Sequence, residues 1–391
     1  MGYVKGISFV LLWYIGIIWS VIYIYAPFLI ILLISRKWFR KATDIILSCW
    51  EMYPASLLEL MMGCRICLSG DDINPDESAI IILNHRNRLD WFFLWAALLH
   101  ASKPPAHRCK FVLKSDVRWI PGIGWGLQMA GFLFIHRNWE KDQELLKRSL
   151  DYFKDLKENY QILIFPEGTN LSASTKKKSN AFAEKAGLPA YDYVLHPRTT
   201  GFRFLVQQMQ KNSQLNAVYD LTVAYPITLP VNETDILKGK IPEEVHFNIC
   251  RHGVETLPKD EEGIKTWCEQ RWAEKEASLK KFYSIKPDDR RLSSRVRYDR
   301  PWNAMYLALV SWTAVTVFTL YLTFCTTWGF YYTCFSILGF VLVSYFTYGI
   351  QNFEIDLFRK YDCPPESVSM GKEQNGYQIR ENGNKKENLF V

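Results

Sequence analysis

Residues 79–100 read AIIILNHRNRLDWFFLWAALLH. The first residues form a β-branched run of strand length, and the segment from Leu89 to His100 is apolar for long enough to be a helix. Between them lies a short polar turn, so a strand feeds directly into a helix. Working outward, KFVLK (110–114), GFLFI (131–135), QILIF (161–165), DLTVAYP (220–226) and VHFNI (245–249) repeat the strand pattern. The segments 141–159, 201–211 and 262–284 supply helical patterns between and after them. Strands alternating with helices predict an α/β domain with a mainly parallel sheet over residues 75–285. Such a sheet binds its ligands beyond the carboxyl ends of its strands.

The ends of the chain belong to a different solvent. Residues 7–34 carry no charge and exceed the roughly 20 residues that a spanning helix needs. The run is too long for the apolar core of a cleaved signal peptide, so it predicts a retained anchor, kinked at Pro27. Arg36, Lys37, Arg40 and Lys41 follow it, whereas only Lys5 precedes it, which puts its C-terminal end on the cytosolic side. Residues 303–324 and 329–350 are two further apolar runs of spanning length, expected as a transmembrane hairpin over 303–350, with an interfacial or re-entrant course as the alternative. A basic linker over 286–302, with Arg290, Arg291, Arg295, Arg297 and Arg300, precedes them and again faces the cytosol. The remainder, 351–391, is a polar tail, read as disordered from about Glu366. Residues 45–67 mix large apolar residues with Glu51, Pro54 and Glu59, which fits either an interfacial amphipathic helix or a core helix; with the anchor they make an N-terminal unit over 1–74.

A net charge of +7 favours an anionic partner. With apolar segments of this kind, that partner is a membrane surface or a phosphorylated substrate rather than nucleic acid. Nine cysteines, odd in number and scattered, read as reduced thiols, and Cys64-x-x-Cys67 has no second pair at metal-ligand spacing.

Four motifs stand at strand ends. His85 and Asp90 are five residues apart, about 500° around an ideal helix, so they meet only if His85 sits in the turn and Asp90 in the first helical turn. The helix terminus then disfavours a cationic imidazole, and Asp90 orients one ring nitrogen while the other accepts a proton. No G-x-S-x-G elbow is present, so the substrate itself would bring the nucleophilic hydroxyl. The second motif, Phe165-Pro166-Glu167-Gly168-Thr169, is a Pro/Gly turn able to offer backbone N–H groups to a phosphate. The third, Gly131-Phe132-Leu133-Phe134-Ile135-His136-Arg137, ends a strand in a guanidinium suited to phosphate. The fourth, Val223-Ala224-Tyr225-Pro226, taken alone marks a strand end. Each is weak singly; a parallel sheet would gather all four at one edge.

In this order the four blocks resemble the glycerolipid acyltransferase family, which includes the acylglycerol-phosphate acyltransferases. The longer stretches PGIGWGLQMAGFLFIHR, LIFPEGTNL and NAFAEKAGL look like its lysocardiolipin acyltransferase branch. The resemblance implies His85 as general base, Asp90 as its orienting partner, Arg137 on the acceptor phosphate, and Glu167, Gly168 and Thr169 in acceptor binding. It further implies acyl-CoA as donor, a lysophospholipid as acceptor, no metal or prosthetic group, and a multi-pass protein of the endoplasmic reticulum membrane with its domain in the cytosol. Lys114, Arg198 and Lys176 to Lys178 are further candidates for attracting anions. A lipid hydrolase, with water replacing the acceptor, and a non-catalytic module that binds anionic lipid are the rival readings.

Overall fold

The computed structural model describes residues 2–102, 108–230, 233–298 and 303–362. Its strands are β1 (Arg65–Gly70), β2 (Ala79–Leu83), β3 (Cys109–Lys114), β4 (Leu133–Ile135), β5 (Gln161–Ile164), β6 (Ala217–Ala224), β7 (Glu244–Gly253) and β8 (Arg297–Tyr298). They form one sheet in the order β4-β3-β5-β2-β6-β7-β1-β8. From β4 to β6 every pairing is parallel; β6 and β7 are antiparallel, β7 and β1 parallel, and β1 and β8 antiparallel. The helices are α1 (Gly2–Ser20), α2 (Leu29–Ile34), α3 (Arg36–Ser56), α4 (Asp90–Ser102), α5 (Ile123–Met129), α6 (Trp139–Leu156) and α7 (Ala173–Lys185). After these come α8 (Thr199–Lys211), α9 (Glu233–Leu237), α10 (Glu261–Ser284), α11 (Asn303–Cys325), α12 (Thr327–Phe346) and α13 (Ile350–Tyr361).

The strand period explains the layers. Along fully buried β2, Ala79, Ile81 and Leu83 join a core with α3 and α4, while Ile80 and Ile82 face a second core with α6, α8 and α10. A strand buried on both faces has no polar alternation, which is why β2 reads as an unbroken aliphatic run.

Three helical stretches are long and apolar enough to cross a membrane: Gly2–Ile34, Asn303–Cys325 and Thr327–Phe346. The first is interrupted by a π turn over Val21–Tyr25 and a 3₁₀ turn at Pro27. Inside such segments, hydroxyls hold helices together by hydrogen bonds as well as packing. Trp19 donates to Thr323 Oγ1 at 3.0 Å, and the Tyr23 hydroxyl meets Thr323 and Thr333 at 2.9 and 3.0 Å. The Tyr332 hydroxyl donates to the Ile22 carbonyl at 3.0 Å.

Several expected boundaries move. The sheet takes β1 from the expected N-terminal unit 1–74 and β8 from the expected linker 286–302, so the α/β domain begins before residue 75 and continues past 285. Their pairing is long-range, with Ile66 opposite Val245 and Cys67 opposite Tyr298, and a six-residue strand carries little local signature. The stretch 45–67 is a core helix followed by β1: Glu51 and Glu59 are both buried, and burial pushes the Glu51 carboxyl up to about 8. The expected polar tail begins with α13, whose Ile355 and Phe358 enter the core beside Tyr152. The stretch from Glu366 and Arg300 lie outside the described residues.

Half of the basic flank after α2 is also used internally. Arg36 pairs with Asp362, and fully buried Arg40 donates to Glu354 Oε1 at 2.9 Å and to the Met129 carbonyl at 2.7 Å. Glu354 also accepts from the Tyr152 hydroxyl at 2.6 Å, and Asp44 accepts from Lys110 at 2.7 Å and Tyr160 at 3.1 Å. Lys37 and Lys41 remain exposed. Removing one member of a buried ion pair strands the other charge, at a cost of about 3–5 kcal/mol. Glu354→Ala is therefore expected to lower the thermal unfolding midpoint of the detergent-solubilised protein well below that of Asp356→Ala, a neighbour on the exposed side.

Candidate active site

The parallel order β4-β3-β5-β2-β6 brings the C-terminal ends of five strands to one edge. His85 follows β2 at its centre. The next strand on one side, β5, leads into Pro166-Glu167-Gly168-Thr169; on the other, β6 leads into Tyr225. Arg137 follows β4, beyond β3.

Asp90 is the first residue of α4 and is fully buried. A carboxylate at this end of a helix is favoured by the macrodipole. Its Oδ2 accepts from His85 Nδ1 at 2.9 Å and from the Asn87 N–H at 2.9 Å, and its Oδ1 accepts from the Tyr225 hydroxyl at 2.6 Å. Asn87 shapes the turn, since its side chain accepts from the Leu89 N–H at 2.6 Å. With Nδ1 donating to the carboxylate, the tautomer that remains places the lone pair on Nε2. The imidazole lies against Phe165, ring centroids 4.4 Å apart, and its side chain is 18% exposed, so the outer edge of the ring is open to a substrate.

Glu167 has a different orientation from the one expected. Rather than facing an acceptor, its carboxylate is 1% exposed and takes three donors: the His85 N–H at 3.1 Å, the Leu195 N–H at 3.2 Å and the Trp272 indole at 3.1 Å. Burial pushes it up to about 7 even so. It fixes the backbone of His85. The Leu171 N–H donates to the His85 carbonyl at 2.8 Å, joining the two motifs a second time.

Gly168 has φ of +69°, a left-handed conformation that a side chain resists, and its carbonyl accepts from Arg137 Nη2 at 3.0 Å. Arg137 itself stands at φ +61°, a strained conformation for a non-glycine residue that persists where the surroundings dictate it. Thr169 is half-buried at the end of the same turn. Of the further cationic candidates, Arg198 belongs here: its N–H donates to the Pro166 carbonyl at 2.7 Å. Burial, with the charge of Arg137 nearby, pushes its guanidinium down. Lys114 pairs with Asp116, and Lys176 with Asp192.

One group among the described residues has the makings of a metal site: Cys67, Glu244 and His246, whose ligand atoms lie within 4.8 Å of one another on β1 and β7. Glu244 already pairs with Arg65 and accepts from His246 at 3.2 Å, so a guanidinium stands where a cation would be drawn. It takes no part in the site around His85.

Residues 65–226 match the family described as Acyltransferase, and residues 235–310 match the Acyltransferase C-terminus. The chain is 46% identical over 279 residues to lysocardiolipin acyltransferase 1 of Gallus gallus, covering 71% of this chain and 73% of that protein. This chain belongs to the acylglycerol-phosphate acyltransferase family. Within it the chain stands near the lysocardiolipin acyltransferase branch, and it is an acyltransferase. It is also 39% identical over 313 residues to lysophosphatidylinositol acyltransferase 10 of Caenorhabditis elegans, covering 78% of this chain and 79% of that one. Among solved structures, the 1-acyl-sn-glycerophosphate acyltransferase PlsC of Thermotoga maritima aligns with 73% of this chain and 99% of its own at 15% identity and a TM-score of 0.46.

For this acyltransferase the sequence reading missed Tyr225, Asn87 and Trp272 as supports of the pair. Tyr225 was visible as a member of the fourth block; its reach to Asp90 was not, because it depends on β6 lying beside β2. The inward Glu167 gives a test. A carboxyl raised from 4.5 to about 7 binds its proton more tightly in the folded than in the unfolded chain. Its stabilising contribution is thus full below pH 4.5 and lost as pH rises to about 7. Glu167→Gln is expected to flatten that part of the stability–pH curve, measured by thermal unfolding in detergent. It also turns an NH₂ toward a donor, so kcat should fall more than KM rises.

Proposed function

We propose that the enzyme transfers a fatty acyl group from acyl-CoA to a free hydroxyl of an anionic lysophospholipid, with His85 as general base and Asp90 as its orienting partner. The observation that carries this reading is the contact of His85 Nδ1 with buried Asp90, which leaves Nε2 at the open edge beside the Gly168 turn and Arg137. Nε2 takes the proton of the acceptor hydroxyl as its oxygen attacks the thioester carbonyl. The C–S bond breaks, an ester forms, and the imidazolium returns the proton to the departing thiolate as free CoA. No acyl-enzyme intervenes and no metal or prosthetic group is needed.

Arg137 binds the acceptor phosphate, with Arg198 adding to the positive field, while the backbone of Gly168 and Thr169 lines the acceptor's path. Lysocardiolipin, lysophosphatidylinositol and lysophosphatidic acid all offer a phosphate and a hydroxyl; the names of the relatives favour the first two. The membrane helices support a lipid acceptor whose tail stays in the bilayer while its headgroup reaches the domain. We place the protein in the endoplasmic reticulum membrane with the domain on the cytosolic face, where acyl-CoA is found.

With purified protein, radiolabelled acyl-CoA and a panel of lysophospholipids, His85→Ala is expected to abolish ester formation in protein that still inserts and unfolds cooperatively. Tyr225→Phe removes one hydrogen bond to a charged group, worth about 1.5–3 kcal/mol, so kcat should fall roughly 10- to 100-fold. Normal turnover by His85→Ala, or free fatty acid as the dominant product with lysolipid present, would overturn the reading. Topology has its own check: Asn170-Leu171-Ser172 is a glycosylation sequon beside the site, and on the cytosolic face it stays unmodified in cells. A glycan there would reverse the orientation.

A further inference from the structure

The buried cations of the core follow one rule. Arg40 is paired with Glu354, Lys110 with Asp44 and Lys275 with Asp220. Arg118 breaks it. It stands in the turn after β3 and is 8% exposed. Among the described residues its guanidinium donates no hydrogen bond and meets no carboxylate. It lies over two aromatic rings, Trp119 at 5.5 Å and Phe134 at 5.7 Å, and burial alone pushes it down from its usual value. A cation taken out of water without a partner is costly, so a group in this position marks a place where an anion is missing.

The space for that anion is present. Arg118 lines a partly open cavity of about 220 Å³ together with His136, Arg148, Tyr348, Asn352 and Asp356. A water's share of liquid volume is about 30 Å³, so the cavity takes a phosphate with its linking atoms. Arg148 pairs with Asp356 and donates to the Asn352 carbonyl at 3.3 Å, yet its Nε, like that of Arg118, is buried without a partner. The charges facing the cavity are therefore two guanidiniums and one carboxylate, with His136 at the rim. Gly349 stands against the same guanidinium: at φ +102° it brings its backbone so close to Arg118 that a Cβ would lie 2.1 Å from Nη2.

Position identifies the source of the anion. The cavity begins at Thr347, directly after the spanning helix α12 ends at Phe346. Tyr345, Phe346 and Tyr348 around that end are 79%, 71% and 79% exposed, and Trp119 beside Arg118 is 58% exposed. Exposed aromatic rings at the end of a spanning helix belong at the level of lipid headgroups. The cavity lies at the β4 edge of the sheet, three strands from β2 and His85, and its lining does not include Arg137, which reaches the Gly168 carbonyl instead.

We propose that Arg118 and Arg148 form a second lipid site, which binds the phosphate of an anionic membrane phospholipid as a structural ligand rather than as substrate. The site does not depend on the acyl-transfer reading. It is tested on the full chain in nanodiscs of phosphatidylcholine alone and with added phosphatidic acid, by thermal unfolding and by native mass spectrometry of the released complex. Wild type is expected to unfold several degrees higher with phosphatidic acid and to retain one such lipid. Arg118→Met should lose both effects while its unfolding midpoint in pure phosphatidylcholine is unchanged or raised, because a buried unpaired charge has gone. Arg137→Ala, which alters the acceptor position, should keep both. A shift that survives in Arg118→Met, or that disappears in Arg137→Ala instead, would overturn the site. An equal shift from millimolar inorganic phosphate in phosphatidylcholine discs would overturn the lipid as its source.

Discussion

A single buried carboxylate orders the site. Asp90 begins a helix, lies out of water and accepts from a ring nitrogen, a backbone N–H and a phenol. A buried carboxylate has to be satisfied on both oxygens, and its three partners come from two distant pieces of chain: His85 and Asn87 in the turn between β2 and α4, and Tyr225 just past the end of β6. Meeting that demand fixes the tautomer and direction of His85. It also locks β2 to β6 beyond their last ladder pair, where Asn84 adds two side-chain bonds to Val223, at 3.2 and 2.8 Å. Glu167 repeats the device on the other flank, holding the backbone of His85 where Asp90 holds its ring.

What was legible in the sequence was whatever is written locally. A β-branched run, a polar turn and an apolar helix identify β2 and α4 because period and length are properties of neighbouring residues. His85 and Asp90 could be paired from their spacing once the turn between strand and helix was recognised. The roles of Tyr225 and Trp272 were not legible, since each reaches the site from more than a hundred residues away through sheet order and helix packing. The inward course of Glu167 was hidden for a related reason: an acidic residue in a Pro/Gly turn looks solvent-facing until Leu195 and Trp272 are placed around it. β1 and β8 were lost because short strands on long-range partners carry almost no period, and α13 because its amphipathic sequence was grouped with the polar stretch that follows it.

The membrane helices and the domain are one structure rather than a tether and its load. The Trp312 indole of α11 donates to the Cys49 carbonyl of α3 at 2.9 Å, and the Ser56 hydroxyl at the end of α3 donates to the Met305 carbonyl at 2.9 Å. The same α3 carries Arg40 and Asp44, which bind α13, β3 and the turn before β5 through Glu354, Lys110 and Tyr160. This also changes how the basic flank is read. Two of its four charges are internal structure, so the orienting excess at that end rests on Lys37 and Lys41, together with the second basic stretch before α11.

Rigid coupling of this kind has a chemical consequence. A lipid acceptor presents its hydroxyl at a depth fixed by its own tail, and an acid/base pair loses effect over displacements of about an ångström. In the proposed reaction, holding His85 at a constant height above the bilayer therefore matters as much as holding it near Asp90. The chain achieves the first through α3, which links α11 to the sheet, and the second through Asp90 and Glu167. Both rely on polar groups that are buried and hydrogen-bonded. That is why charged residues in this protein are informative where they lie inside: several mark a junction between the helices and the sheet, and Arg118, a buried cation that meets no carboxylate among the described residues, lies beside the end of α12.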